Sequence, residues 1–249
     1  MKFIKQRILL HTFIRKATNG SSISGRVNNR LYDLESIALM QKLLNANSNC
    51  IDIGCHKGEI LDKIIEFSPN GNHFGFEPLP DFYKRLVERY KSNEKISILP
   101  HALSNEKGET EFTYVKSNPA YSGIRQRKFD RNKEETEKIK VEKAALDDLI
   151  DPDLPIHFIK IDVEGGELGV LQGAKKTIEK WQPHIIFEHG LGAADCYGTK
   201  PEMLFDFLSA CDLKISNLDA YLCGKPALEK ENFCQQFYNG IHYYFLAHP

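Results

Sequence analysis

Apolar and polar positions alternate along the chain with two periods, one typical of strands and one typical of helices. Short apolar runs bounded by turn residues predict strands, and apolar residues at three- and four-residue spacing predict amphipathic helices. The predicted strands span residues 49–53, 72–76, 96–99, 110–115, 138–144, 157–161, 184–188, 213–216 and 242–247. The predicted helices span residues 31–44, 58–67, 80–91, 166–181 and 201–210, the fourth with a break near Gly173.

The order of these elements predicts an α/β fold. Strand–helix–strand units repeat before residue 100 and again after residue 157, so we expect a Rossmann-like, mostly parallel sheet with helices on both faces. Segments 110–115 and 138–144 alternate apolar and polar residues, which predicts a β-hairpin and loop insert. We predict one main domain over residues 46–249, preceded by a helical extension over residues 1–45.

Composition narrows the classes of function. Of the 249 residues, 41% are hydrophobic and 27% are charged, which is typical of a globular protein. The net charge of -1 gives no electrostatic case for nucleic-acid binding. No apolar run approaches the roughly 18 residues of a membrane span. The six cysteines have no zinc-site spacing, so we expect free thiols in a reducing, cytoplasmic compartment.

The first 16 residues are basic and amphipathic if helical. Their longest apolar run is too short for a signal peptide. We interpret them as a terminal helix packed on the domain, and the alternative is contact with an anionic membrane surface or an acidic acceptor.

A glycine-containing turn follows the first strand of the main domain. In CIDIGCHKGEI, residues 50–60, Gly54 and Gly58 would let the backbone approach a ligand. The spacing matches neither the G-x-G-x-x-G dinucleotide motif nor a phosphate-binding P-loop. Asp52 would repel phosphate and favour a cation. S-adenosylmethionine carries an ammonium and a sulfonium group but no phosphate, so it is the predicted ligand.

A second acidic residue supports this prediction. Glu77 ends the next strand, in GFEP, where an acid can accept hydrogen bonds from ribose hydroxyls.

The second motif, HFIKIDVEGGELGVLQGA at residues 157–174, predicts a strand, an acidic turn and a helix. Candidates for a catalytic base are Asp162, Glu164, Glu188 and His189. Glu164 and Glu167 are also explained as helix caps, and His189 as an ordinary histidine at the sheet edge. An acidic trio could instead hold a divalent metal, but we expect no metal.

In this order, IDIGCHKGE, GFEP, LPHALSNEKG, LDDL and KIDVEGGELGVLQGA resemble the FkbM-type methyltransferase family, over roughly residues 49–188. The resemblance implies a seven-stranded sheet with an antiparallel last strand. It also implies O-methylation of a carbohydrate or small natural product with S-adenosylmethionine. The predicted cosubstrate site comprises Asp52, Gly54, His56, Gly58, Glu77, Pro78, His101, Ala102, Leu103 and Asp162; the predicted catalytic residues are Asp162, Glu164 and His189.

The polar insert between residues 115 and 137 is either a solvated loop or a lid over the acceptor, with contacts from Tyr121, Arg125 and Arg127. Three rival functions remain. They are a dinucleotide oxidoreductase, a non-catalytic S-adenosylmethionine-binding module, and methyl transfer to RNA or protein.

Overall fold

The computed structural model describes the chain at residues 25–128 and 134–249, with side chains described from Asn29 onward. The predicted terminal helix within residues 1–16, and its membrane-contact alternative, lie outside the described residues. Within the described part, no helix is long and apolar enough to cross a bilayer.

The regular elements follow the predicted order with shifts of at most two residues at their ends, except that the first helix begins at Gly25 and not at residue 31. The helices are α1 (Gly25–Leu43), α2 (Glu59–Phe67), α3 (Pro80–Tyr90), α4 (Glu167–Gly173), α5 (Lys175–Trp181), α6 (Pro201–Ala210), α7 (Leu218–Leu222) and α8 (Lys230–Tyr238). The strands are β1 (Cys50–Ile53), β2 (His73–Phe76), β3 (Ile96–Leu99), β4 (His101–Leu103), β5 (Gly108–Val115), β6 (Thr136–Ala144), β7 (Phe158–Ile161), β8 (His184–Glu188), β9 (Lys214–Asn217) and β10 (Tyr244–His248).

The main sheet has seven strands in the order β3-β2-β1-β7-β8-β10-β9. The pairs among β3, β2, β1, β7 and β8 are parallel, and β10 is antiparallel to both β8 and β9. The predicted mostly parallel sheet and its antiparallel last strand are therefore confirmed.

The insert is larger than the predicted hairpin. Strands β5 and β6 form the expected antiparallel pair, but β4 adds to β6 in parallel and completes a separate three-stranded sheet. Pro100 separates β3 from β4, and a strand of three residues is too short to show a period. The sequence prediction also missed α7 and α8, which lie in a stretch with no strong apolar repeat.

Helix α1 packs on one face of the main sheet. Its Tyr32, Leu39 and Met40 are buried in one cluster with Cys50 of β1 and Phe158 of β7. The described half of the predicted extension is thus part of the core, and the domain boundary at residue 46 stays a prediction.

Strand register places the functional residues at one edge of the sheet. Ile53 of β1 lies beside Phe76 of β2 and Ile161 of β7, and Ile161 lies beside Phe187 of β8. The residues that come after these four positions therefore meet at the carboxyl edge, where open α/β sheets bind ligands.

Candidate active site

The turn after β1 depends on a glycine at its first position. Gly54 has a φ of 77°, and a Cβ atom there would lie 2.0 Å from the backbone carbonyl oxygen of Asp162. Its amide donates to the carbonyl of Phe76 at 2.9 Å. The absence of a side chain therefore allows the ends of β1 and β7 to touch, which fixes the floor of a cavity.

This glycine-turn cavity has a volume of about 430 Å³, within the range of small-molecule sites. Most of the predicted cosubstrate residues line it, namely Gly54, His56, Glu77, Pro78, His101, Ala102, Leu103 and Asp162. Gly58 instead caps α2 and packs against Tyr90, whose hydroxyl would lie 2.7 Å from an added Cβ.

Glu77 braces the turn from inside the cavity. Its carboxylate accepts hydrogen bonds from the amides of His56 at 2.7 Å and Leu79 at 2.8 Å. Burial raises the pKa of Glu77 to about 7, and the two amide hydrogen bonds moderate that rise. Each carboxylate oxygen can accept a further hydrogen bond, so Glu77 remains available to ligand hydroxyls.

Asp52 lines neither of the large cavities at this edge. It is fully buried beneath the turn, beside Lys160 on the neighbouring strand. Burial raises the pKa of Asp52 to about 6, against the lowering effect of the Lys160 charge. The structure therefore places Asp52 under the site, where it faces a protein cation.

Asp162 lies at the centre of the sheet edge. Its Oδ2 accepts hydrogen bonds from Lys160 Nζ at 2.9 Å and from the Tyr244 hydroxyl at 2.6 Å. Burial alone would raise its pKa, but the Lys160 charge and these hydrogen bonds outweigh burial and lower the pKa of Asp162 to about 2. Asp162 is consequently a carboxylate at neutral pH and a weak proton acceptor.

Glu164 lies in the turn after β7 and is held by Arg127, whose guanidinium donates to its carboxylate. Burial and the neighbouring Asp162 charge raise the pKa of Glu164 to about 8, although Arg127 opposes the rise. Burial, together with Asp162 and Glu164, raises the pKa of Glu188 well above its usual value. Burial is the largest cause of both raised pKa values, and repulsion from the other carboxylates adds to it.

Glu167 has the structural role that the sequence allowed for it. Its carboxylate accepts hydrogen bonds from the amides of Gly165 at 3.0 Å and Val163 at 3.3 Å. It therefore braces the acidic turn from the start of α4.

The trio of Asp162, Glu164 and Glu188 has carboxylate oxygens within 4.8 Å of one another, a spacing that a divalent cation could bridge. Lys160, Arg127 and Tyr244 already supply positive or donating partners, which explains the cluster without an ion. The absence of a metal stays a prediction.

A second and larger cavity, of about 960 Å³, opens beside the first. We call it the acidic cavity because its described walls carry Asp33, Glu59, Glu134, Asp162, Glu164 and Glu188. The two cavities share His56, Ala120, Asp162 and Glu164. The two cavities are therefore adjacent along this shared wall.

The insert contributes to both cavities. Tyr121 and Arg127 line the acidic cavity and Arg125 lines the glycine-turn cavity. The Arg125 amide donates to the Tyr197 hydroxyl at 2.9 Å, which attaches the insert to the segment after β8.

His189 does not reach either cavity. Its ring stacks on Phe237 of α8, with centroids 4.6 Å apart, and the residue is 1% exposed. Burial lowers the pKa of His189 to about 4, so the ring is neutral. Successive strand residues face opposite sides, so Glu188 faces the acidic cavity while His189 is covered by α8, the helix that sequence reasoning missed.

Sequence reasoning also missed Lys160 and Tyr244. A signal for Lys160 was present, because a lysine two residues before Asp162 shares its strand face. Tyr244 gave no such signal, since its contact depends on β10 lying antiparallel beside β8.

Comparison with known proteins agrees with the geometry. The family described as the Methyltransferase FkbM domain matches residues 52–215. The crystal structure of a methyltransferase FkbM from Methylobacillus flagellatus KT has a TM-score of 0.51 at 18% identity, covering 83% of this chain and 44% of that one. This chain thus spans less than half of that protein, and the likeness shows the shared fold.

Two further structures are similar with TM-scores below 0.5. StiE O-MT residues 961–1257 give 0.42 at 11% identity, covering 94% of this chain and 80% of that one. A putative rRNA methylase from Clostridium thermocellum gives 0.46 at 10% identity, covering 86% and 91%. No curated protein matches the chain.

Proposed function

The chain belongs to the FkbM methyltransferase family, and on that premise we propose that it transfers a methyl group from S-adenosylmethionine to a hydroxyl of a carbohydrate or another small molecule. The observation that carries the proposal is the pair of cavities that meet at Asp162 and Glu164. One cavity would hold the methyl donor and the other the acceptor. The free state of all six cysteines supports a reducing, cytoplasmic compartment.

The glycine-turn cavity suits the cosubstrate in its shape and in the polar groups that line it. Gly54 leaves room for the ligand at the ends of β1 and β7, and Glu77 would accept hydrogen bonds from the ribose hydroxyls. The residues His101, Ala102 and Leu103 would line the adenine. Asp162, kept ionised by Lys160, would face the positive end of the ligand.

When bound, S-adenosylmethionine supplies a methyl group activated by its sulfonium. The chain must then align an acceptor oxygen with that methyl group, and such alignment contributes roughly 7–11 kcal/mol. It must also remove the hydroxyl proton. Glu164 is our candidate base because it lines both cavities and its pKa is raised to about 8, whereas Asp162, with a pKa of about 2, is too weak a base.

Calorimetric titration of the full chain with S-adenosylmethionine and with NAD tests the donor site. We expect saturable binding of S-adenosylmethionine alone. Glu77→Ala should weaken it about 10- to 100-fold, since hydrogen bonds to a charged group contribute roughly 1.5–3 kcal/mol. Glu94→Ala is the matched control, because Glu94 is exposed in the turn before β3 and lines neither cavity.

If the folded protein binds NAD or neither ligand, the proposal is wrong. Once an acceptor is available, Glu164→Gln should lower kcat by roughly 10²–10⁴-fold. An unchanged kcat would remove Glu164 as the base.

A further inference from the structure

The residues that line the acidic cavity indicate the chemistry of the acceptor, which the family does not specify. The interpretation of this cavity as the acceptor site rests on the proposed function. Four acids line this cavity and not the glycine-turn cavity. One of them, Glu134 of the insert, accepts a hydrogen bond from Ser117, and the other three come from separate helices and strands. They are Asp33 of α1, Glu59 of α2 and Glu188 of β8. The cosubstrate would occupy the other cavity, so its positive charge does not explain them.

Among the described residues, no cation forms an ion pair with any of these three acids. The charge of Lys160 nevertheless acts on Asp33, and the charges of Arg127 and Lys160 act on Glu188. In residues 25–128 and 134–249, neither Asp33 nor Glu59 makes a side-chain hydrogen bond or ion pair. Glu188 is hydrogen-bonded to Asp162, which is itself an acid. Acids on three elements that converge on one space and outnumber the cations near it are electrostatically unfavourable unless a ligand compensates them.

The nearby cations are already engaged. Arg127 is paired with Glu164, and Lys160 with Asp162. The described walls of the cavity therefore carry an excess of negative charge. An acceptor that bears phosphate, such as a nucleic acid or a phosphorylated sugar, would be repelled.

Aromatic rings complete the walls. Tyr121, Phe237, Tyr243 and Tyr244 line the same cavity, and the guanidinium of Arg127 already lies 4.3 Å from the centroid of Tyr121. Aromatic faces attract cations, and such contacts strengthen when they are shielded from water. Acids and aromatic rings together form a surface suited to an organic ammonium group.

Protonation behaviour is consistent with this geometry. Burial is the largest cause of the raised pKa of Asp33; the Lys160 charge opposes the rise, and the charges of Asp162 and Glu59 add to it. Burial and like charges also raise the pKa of Glu188. A bound cation would relieve that repulsion.

We infer that the acceptor carries a protonated amino group in addition to the hydroxyl that is methylated, as amino sugars and hydroxylated amines do. Asp33, Glu59 and Glu188 bind the ammonium group while the hydroxyl lies near the wall shared by the two cavities. This inference selects amine-bearing small molecules over nucleic acids as substrates.

Ligand-observed NMR on the full chain, saturated with S-adenosylhomocysteine, provides the test. The probes are glucosamine, glucose and glucose 6-phosphate, which share a ring and differ in charge. We expect glucosamine to bind at least about tenfold more tightly than glucose, and glucose 6-phosphate to bind least. The preference should shrink as salt rises from about 0.01 M to about 1 M, since the screening length falls from roughly 30 to 3 Å.

The double substitution Asp33→Asn with Glu59→Gln should remove most of the preference for glucosamine over glucose. Glu94→Gln, an exposed acid outside both cavities, should leave this preference unchanged. Circular dichroism establishes that each variant is folded.

Equal binding of glucosamine and glucose, tighter binding of the phosphate, or binding of added Mg²⁺ with no amine preference would each overturn the inference. Calorimetry with S-adenosylmethionine is carried out first, so that failure of the amine inference can be distinguished from failure of the proposed methyltransferase function. A protein that binds the cosubstrate but shows no amine preference remains a candidate methyltransferase, whereas one that binds no cosubstrate loses both.

Discussion

The two cavities at the sheet edge are built in different ways. The floor of the glycine-turn cavity comes from local motifs at the strand ends, residues 53–54 and 76–79, with β4 beside them. The insert, the acidic turn, α4 and residues 197–199 complete its walls. The acidic cavity is formed by side chains from α1, α2, the insert, β8 and β10, which are far apart in sequence. In the first, backbone amides satisfy the acid Glu77. In the second, the acids outnumber the cations Arg127 and Lys160 that pair with two of them.

This difference suggests a division of labour. A cavity that uses backbone and local motifs suits a ligand that is the same throughout a family. Where a cavity is lined by side chains from distant elements, substitution of those side chains can change which ligand binds, while the sheet and the first cavity stay intact. Lys160 lies behind the wall that both share, so changes there should affect both.

Lys160→Met should have the largest effect. The substitution leaves Asp52 and Asp162 buried beside each other without their cation, and loss of one partner of a buried pair costs about 3–5 kcal/mol. Urea unfolding at pH 7 measures the loss of stability. Lys63→Met is the control, because the exposed Lys63–Glu66 pair should contribute less than about 1 kcal/mol. Similar losses in both variants would mean that Lys160 is not the electrostatic support of the site.

Gly54→Ala should damage the glycine-turn cavity selectively. The added Cβ would meet the Asp162 carbonyl at 2.0 Å, so we expect the affinity for S-adenosylmethionine to fall about 100-fold or more, equivalent to about 2.7 kcal/mol. Calorimetry measures it.

Gly224→Ala is the matched control for that substitution. Gly224 has a φ of 70°, close to the 77° of Gly54, but an added Cβ would meet nothing within 4 Å. It should lower stability by roughly 1–2 kcal/mol through backbone strain and leave the affinity unchanged. If both variants bind the cosubstrate equally well, close contact between β1 and β7 is not required.

The smallest effect concerns pH and Glu77. Because its pKa is raised to about 7 by burial, Glu77 is protonated below neutrality and becomes a better acceptor for ribose hydroxyls above it. We expect the affinity for S-adenosylmethionine to rise about tenfold between pH 6 and pH 8, and Glu77→Gln to flatten this dependence. Calorimetry at both pH values measures the difference.

Stability should respond to pH with the opposite sign. A carboxyl group whose pKa is raised by folding stabilises the fold below its unfolded pKa, and this contribution is lost as pH rises through about 7. The free wild-type protein should therefore lose stability relative to Glu77→Gln over the range in which it gains affinity. Parallel changes in both quantities would contradict a role for Glu77 in ligand binding.

Much of the fold was predictable because its signals are local. The alternation of strands and helices, the bounds of β3 and β8, and the break at Gly173 were all present in the apolar pattern. Strand β4 and helices α7 and α8 were not, because short elements with mixed composition are stabilised by the surface on which they pack.

The site divides in the same way. Gly54, Glu77 and the segment 101–103 line the glycine-turn cavity, and each belongs to a short local motif that the sequence shows; their binding of the cosubstrate stays a prediction. Asp52 and His189 do not line either cavity. Asp52 was predicted to face the positive groups of S-adenosylmethionine, but it faces Lys160 instead. His189 lies on the opposite side of its strand from Glu188, beneath a helix that the pattern did not reveal.

The sequence by itself determined the fold class, the glycine turn and the acids at the strand ends, because these depend on residues close together in the chain. Tertiary structure decided which acids share a space, which of them have a cation, and which cavity is left negative. Those properties depend on strand order and burial, which bring Asp33, Glu188 and Tyr244 to one cavity across the length of the chain.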